Sequence, residues 1–314
     1  MRSQISHQLL IYHSDPKIYE ELLSNRLPQL KIRSAVKPEE AFGFVEKAEI
    51  ILSWKIPDDL LMRAKNLRWF ASLAAGNEDL VHNPHLPESV TFTKTTIYGE
   101  MMAEYVFAHL LYFNRNVAKH LKDQRERVWD RLKPGRLRGK VLGILGLGSV
   151  GKEIAKRGKQ FGMKVSGIKR DPGPVENVDQ VFKPNDFRKM IPQVDYLVNV
   201  LPLTPETFHL LGERELGSMK EGAFLFSMGR GKTIDEKALE KILQKKRIRA
   251  VLDVFEEEPL PSGSELWKME NVIITPHVSG ISLPEEICEE FIKNYGCWVK
   301  GDPLYGLVDR KKGY

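Results

Sequence analysis

The chain is poor in cysteine, with only Cys288 and Cys297 among its 314 residues. They lie nine apart in what reads as one helix, which at ~1.5 Å rise per residue separates them by about 13 Å, too far for a disulfide. A disulfide-stapled scaffold is excluded, and both thiols are expected to be reduced bystanders. No apolar run reaches the ~18 residues of a membrane span, and the opening M-R-S-Q-I-S-H-Q lacks the apolar core of a secretory signal. A cytoplasmic protein with no membrane partner is therefore expected. Charge is balanced, with 48 basic against 42 acidic residues and a net charge of +6. The densest basic stretch, 241–249, closes a predicted helix, where cations complement the dipole and face water, so no nucleic-acid partner is expected. No metal site is expected either. What remains, 42% apolar and 29% charged residues, describes a globular chain of about two domains.

The chain is organised around residues 140–151, K-V-L-G-I-L-G-L-G-S-V-G, where an apolar run enters three glycines, Gly146, Gly148 and Gly151. Strand, tight turn and helix follow in that order. The first glycine permits the turn, the second lets backbone approach a pyrophosphate, and the third lets helix pack on strand. The backbone at Ser149 and Val150 then presents N–H groups to the phosphates at the helix start. A plain glycine turn would need neither the apolar strand before it nor the helix-compatible 153–160 after it.

The first hundred residues alternate strand-like segments (8–13, 31–36, 49–54, 67–73 and 90–95) with polar, helix-compatible ones, the pattern of a small doubly wound α/β domain. After the fourth strand comes A-A-G-N, where Ala75 and Gly76 can offer backbone N–H groups to an anion; an ordinary turn accounts for the sequence equally well. Residues 98–124 read as one long helix, apolar over more of its circumference than a single core contact requires. An intermolecular face and a buried core helix both explain that. The charged stretch 125–138 carries Pro134-Gly135 and reads as loop. Six strands follow, at 141–145, 163–168, 195–202, 222–228, 248–255 and 271–276, enough for a nucleotide-binding sheet. The first domain is placed to end near Tyr98 and the second near His277.

The second strand of that sheet ends in Lys169 and Arg170, where an NAD-type site needs an acid to bind the ribose hydroxyls. Two cations suit a 2′-phosphate, so NADP(H) is preferred, with NAD(H) possible. A solvated basic pair, with Asp171 as a displaced ribose partner, is the alternative. Three later strand ends carry Arg230 between glycines, Asp253 with Glu258, and His277. Alone, Arg230 reads as a surface charge, Glu258 as part of a solvated acidic run and His277 as a satisfied strand-end histidine. Together they set a guanidinium, a carboxylate and an imidazole at carboxyl ends of strands, where such sheets bind ligands.

These motifs, A-A-G, G-L-G-S-V-G, L-P-L-T-P-E-T (201–207), M-G-R-G, D-V-F-E-E-E-P and T-P-H-V-S-G, with the terminal G-D-P-L-Y-G-L-V-D-R-K-K-G-Y, resemble the D-isomer-specific 2-hydroxyacid dehydrogenase family, most of all its glyoxylate/hydroxypyruvate reductase branch. The resemblance implies two doubly wound domains, a Rossmann-type cofactor domain (99–278) inserted in a flavodoxin-like substrate domain (1–98 and 279–314), with the active site in the cleft. It implies a homodimer through the long helix of the cofactor domain, and reduction of a small 2-oxo acid to a D-2-hydroxy acid. His277, as imidazolium, would protonate the developing alkoxide while Glu258 holds the ring, and Arg230 would bind the substrate carboxylate, helped by Ala75 and Gly76. Asp253 would receive the nicotinamide carboxamide. Leu201, Pro202 and Thr207 would line the ribose and pyrophosphate, with Met228, Gly229, His277 and Gly280 also at the cofactor and Trp54 as a substrate-pocket wall. The chain departs from many members at Asn77-Glu78 and at Ser227. Glu258, in place of a glutamine, argues against a formate-dehydrogenase-like activity. A cofactor-sensing scaffold and an enzyme oxidising another anion such as phosphite are the rivals.

Overall fold

Both sheets of the computed structural model, which describes residues 6–313, are parallel at each strand pairing. A parallel sheet is covered on both faces, so its strands carry continuous apolar runs; Ile50–Ser53 and Phe224–Ser227 are buried at every position.

The chain divides into two compact units, one of Met1–Tyr98 with Ser282–Tyr314, the other of Gly99–Ile281. The first runs β1 (Gln8–Tyr12), α1 (Lys17–Ser24), β2 (Lys31–Ala35), α2 (Pro38–Val45), β3 (Ile50–Ser53), α3 (Asp58–Arg63), β4 (Trp69–Ser72), α4 (Glu78–Val81) and β5 (Thr91–Lys94). Its strand order, β2-β1-β3-β4-β5, is that of flavodoxin-like sheets.

The second unit runs α5 (Gly99–Asn114), α6 (Val117–Glu126), β6 (Val141–Leu145), α7 (Ser149–Gln160), β7 (Lys164–Ile168), β8 (Gln180–Phe182), α8 (Phe187–Met190), β9 (Tyr196–Asn199), α9 (Glu213–Gly217), β10 (Phe224–Ser227), α10 (Glu236–Gln244), β11 (Arg249–Leu252) and β12 (Val272–Ile274). The order β12-β11-β10-β9-β6-β7-β8 reverses direction between β6 and β9, the switch point at which doubly wound sheets open a crevice. The chain returns to the first unit as α11 (Pro284–Lys300), whose Phe291 stacks on the fully buried Trp69 at 5.0 Å. Both cysteines lie on α11 and are free, and burial pushes the Cys288 thiol up to about 12. No described helix is long and apolar enough to cross a membrane.

Two expectations need correction. The sheet of the second unit has seven strands, not six: β8 pairs only with β7, at the sheet edge, and its three residues Q-V-F are too short to show a period. The long helix over 98–124 is two helices. Asn116 takes the left-handed conformation (φ 53°), which asparagine tolerates better than most residues, and Arg127 (φ 56°) ends α6 in the same way. Ala103, Val106, Phe107 and Leu110, spaced as one helical face, bury α5 in the core it shares with Ile154 of α7. The basic stretch 241–249 begins on α10, whose N-terminus Asp235 caps by accepting the Ala238 N–H at 3.0 Å, and Lys245, Lys246 and Arg247 beyond it are exposed.

Candidate active site

The three glycines after β6 do three different things. Gly146 turns the chain in the left-handed region (φ 104°), where a side chain would be strained. Gly148, before the first residue of α7, has open space where a Cβ would project. At Gly151 a Cβ would lie 2.0 Å from the Gly146 carbonyl oxygen, so only glycine lets the helix sit this close to the turn. The first intrahelical bond is made by the Lys152 N–H to the Gly148 oxygen, at 3.0 Å. The N–H groups of Ser149, Val150 and Gly151 precede it and remain available to an anion. The bare approach at Gly148 and these donors fit a dinucleotide's pyrophosphate.

Glycines also join the neighbouring strand-end loops. A Cβ on Gly229 would lie 2.4 Å from the Leu201 oxygen, and one on Gly231 1.9 Å from the Phe255 oxygen. The loops after β9, β10 and β11 therefore pack backbone on backbone, and Arg230 between its two glycines is carried on that floor. Its Nη1 donates to the Gly229 oxygen at 2.9 Å. Its own carbonyl accepts the Thr233 hydroxyl (2.6 Å), which in turn accepts from Nδ2 of the fully buried Asn199 (2.7 Å). Asn199 also accepts the Leu201 N–H through Oδ1 (3.3 Å) and the Met228 N–H through its carbonyl (3.0 Å). Thr207 shapes the adjoining loop: its hydroxyl donates to the Pro202 oxygen (2.7 Å) and accepts the Thr204 N–H (2.8 Å). The Ser227 hydroxyl is buried with no partner among the described residues.

The chemistry gathers after β11 and β12. Asp253 is fully buried, and a buried carboxylate is tolerable only when donors surround it. It accepts the Thr275 hydroxyl (2.6 Å) and Val278 N–H (2.8 Å) on one oxygen and the Ser279 N–H (2.9 Å) on the other, while its carbonyl accepts the His277 N–H (2.9 Å). Since Thr275 gives its proton to Asp253, the Tyr105 hydroxyl, 2.6 Å away, donates to Thr275; burial pushes that phenol up to about 12. This network holds the loop that presents His277 at φ 54°. The half-exposed ring places Nδ1 2.8 Å from Glu258 Oε2, and Glu258 Oε1 accepts the Phe255 N–H at 3.0 Å. The loop after β11 is braced by a reciprocal pair: Glu236 N–H donates to the Glu256 carboxylate (3.0 Å) and Glu256 N–H to the Glu236 carboxylate (3.1 Å).

The remaining expected site residues are spread over several elements. Lys169 ends up beside α7, whereas Arg170 approaches Glu206 at 4.0 Å. Gly280 follows the Asp253-bound Ser279. In the first unit, Ala75 and Gly76 follow β4 in a loop closed by Ala74 N–H to Ser72 Oγ (3.1 Å) and Asn77 Nδ2 to the Ala74 oxygen (3.2 Å); Asn77 Oδ1 is buried without a partner. Trp54, just past β3, is 55% exposed. Asn199, Thr233 and Tyr105 are supporting residues that sequence reading did not single out, and Thr275 opens the T-P-H-V-S-G motif without a role assigned to it; these roles arise from long-range contacts.

The family model for the NAD-binding domain of D-isomer specific 2-hydroxyacid dehydrogenases matches residues 107–279. A glyoxylate/hydroxypyruvate reductase A of Yersinia enterocolitica is 29% identical, covering 98% of this chain and 99% of the relative. The solved structure of a D-isomer specific 2-hydroxyacid dehydrogenase of Xanthobacter autotrophicus, in complex with NADPH and MES, is 32% identical with a TM-score of 0.90, covering 98% of this chain and 100% of that one. An NADPH-dependent glyoxylate/hydroxypyruvate reductase of Sinorhizobium meliloti, in complex with NADP and sulfate, is 25% identical with a TM-score of 0.87, covering 98% and 100%.

Proposed function

Because the chain belongs to the D-isomer specific 2-hydroxyacid dehydrogenase family, and is thus an NAD(P)-dependent oxidoreductase, we propose that it reduces glyoxylate, hydroxypyruvate or a similar small 2-oxo acid to the D-2-hydroxy acid, with NADP(H) preferred. The observation that carries this reading is the His277–Glu258 pair, 2.8 Å apart, on loops after adjoining strands of the dinucleotide-binding sheet. When bound, the nicotinamide cofactor supplies the hydride. Glu258 accepts the Nδ1 proton of His277 and fixes the ring, which leaves Nε2 to protonate the alkoxide oxygen as it forms. Arg230 binds the substrate carboxylate through paired N–H groups and polarises the carbonyl. Asp253, which the resemblance sets at the carboxamide, is buried with both oxygens taken by Thr275, Val278 and Ser279, so its part is to keep the His277 loop in register.

The second unit is assigned as the dinucleotide-binding domain and the first as the substrate domain, with Ala75, Gly76 and Trp54 as its substrate contacts. Exposed Leu111, Leu121, Val128 and Trp129 support a homodimer, which sedimentation velocity tests. The function itself is tested by following NADPH and NADH absorbance with glyoxylate, hydroxypyruvate and pyruvate. Turnover of a 2-oxo acid, faster with NADPH, is expected. Tight cofactor binding with no turnover of any 2-oxo acid would show a sensing scaffold instead.

A further inference from the structure

Helix α7 carries Ser149, Lys152 and Lys156 at spacings of three and four, which puts them on one face, away from the buried Gly151, Ile154 and Ala155. That face borders a cavity of about 440 Å³. Its other walls are Lys169, just past β7, and the 174–177 turn, where Asn177 is left-handed (φ 63°) and Val175 is buried in the core. Lys156 is paired, 3.1 Å from a Glu153 oxygen that Arg157 also reaches at 3.3 Å. Lys152 and Lys169 have no acidic partner within 4.0 Å among the described residues. An anion entering the cavity would meet two cations that have no counter-charge. Glu176 is the one other acid on its walls, and Arg170 is not part of them.

We propose that Lys152 is a cofactor-selecting residue, which together with Lys169 receives the 2′-phosphate of NADP(H). The inference rests on the NADP(H) reading above and moves part of that preference from the end of β7 onto α7. The cavity adjoins Ser149, the first residue of the pyrophosphate cradle, and the strand end at which this fold holds the adenosine ribose. A phosphate dianion is best held by more than one charged donor. The bare ribose hydroxyl of NAD(H) gives neither lysine a counter-charge.

The test is Lys152→Ala, with adenosine 2′,5′-bisphosphate and adenosine 5′-monophosphate titrated by calorimetry and NADPH and NADH by fluorescence. Losing one charge-assisted contact is expected to weaken the bisphosphate and NADPH about tenfold or more, with the monophosphate and NADH within about twofold and Lys152→Arg restoring most of the loss. Equal weakening of phosphorylated and unphosphorylated ligands, or no weakening, overturns the role of Lys152. If Lys152→Ala is silent while the Lys169→Ala, Arg170→Ala double variant loses NADPH selectively, the NADP(H) reading stands and this inference alone falls. If the unsubstituted protein binds NADH as tightly as NADPH, both fall.

Discussion

The Glu258 carboxylate serves two masters with its two oxygens: Oε2 lies 2.8 Å from His277 Nδ1, and Oε1 accepts the Phe255 N–H at 3.0 Å. The backbone bond fixes the carboxylate, and the carboxylate fixes the ring. His277→Ala is expected to lower kcat by about 10²–10⁴ or more, the range of general acid catalysis, and Glu258→Gln by about 10². Fluorescence titration is expected to find NADPH affinity nearly unchanged in both. Surviving turnover in His277→Ala would remove the proton-donor role.

How much of this is legible in the sequence depends on where the information sits. The glycine loop, Arg230, Glu258 and His277 stand out because each role lies in residue identity at a strand end, and the alternation of strands and helices gives both doubly wound sheets. Strand β8 does not, because three residues at a sheet edge carry no periodicity. Nor does the break at Asn116, since it involves neither glycine nor proline. The Tyr105–Thr275–Asp253 chain and the Asn199–Thr233 bond join residues from separate elements, and the pairing of Arg170 with Glu206 depends on how two loops fall.

Arg230 presents a planar fork of donors that lysine lacks. Arg230→Lys is expected to lower kcat/KM about 10- to 100-fold, equivalent to roughly 1.5–3 kcal/mol of charged hydrogen bonding. Initial rates across substrate concentrations check this, and an unchanged kcat/KM would place the substrate carboxylate elsewhere.

Gly148 and Gly151 are expected to fail differently. Gly151→Ala forces a Cβ to within 2.0 Å of the Gly146 oxygen and is expected to cost about 1–3 kcal/mol or more of stability. Gly148→Ala meets open space, so its Tm is expected to stay near that of the unsubstituted protein while cofactor affinity falls. Thermal denaturation beside cofactor titration separates the two. A Gly148→Ala protein that binds cofactor normally would mean that the pyrophosphate does not approach there.

Burial, reinforced by the charges of Glu256, Glu240 and Glu257, raises the Glu236 carboxyl above its ordinary value. The unfolded chain therefore releases this proton first as pH rises, and the group costs stability from the ordinary carboxyl range upward. Glu236→Gln keeps an oxygen for the Glu256 N–H and loses the charge. Its Tm is expected to exceed that of the unsubstituted protein at neutral pH, with the gap closing below about pH 4, where both folded and unfolded carboxyls are protonated. A variant less stable at neutral pH would show that the charge itself is needed.

At Gly146, Gly229 and Gly231 four adjacent loops beneath the site approach backbone to backbone, and the Asn199–Thr233 side-chain bond ties two of them together. Side-chain exchange above these glycines leaves their backbone contacts in place. New substrate preferences could then be sampled by changing the residues that stand on the floor, at little risk to folding. Any insertion in one of the four loops would displace its neighbours together, so this site tolerates replacement far better than lengthening.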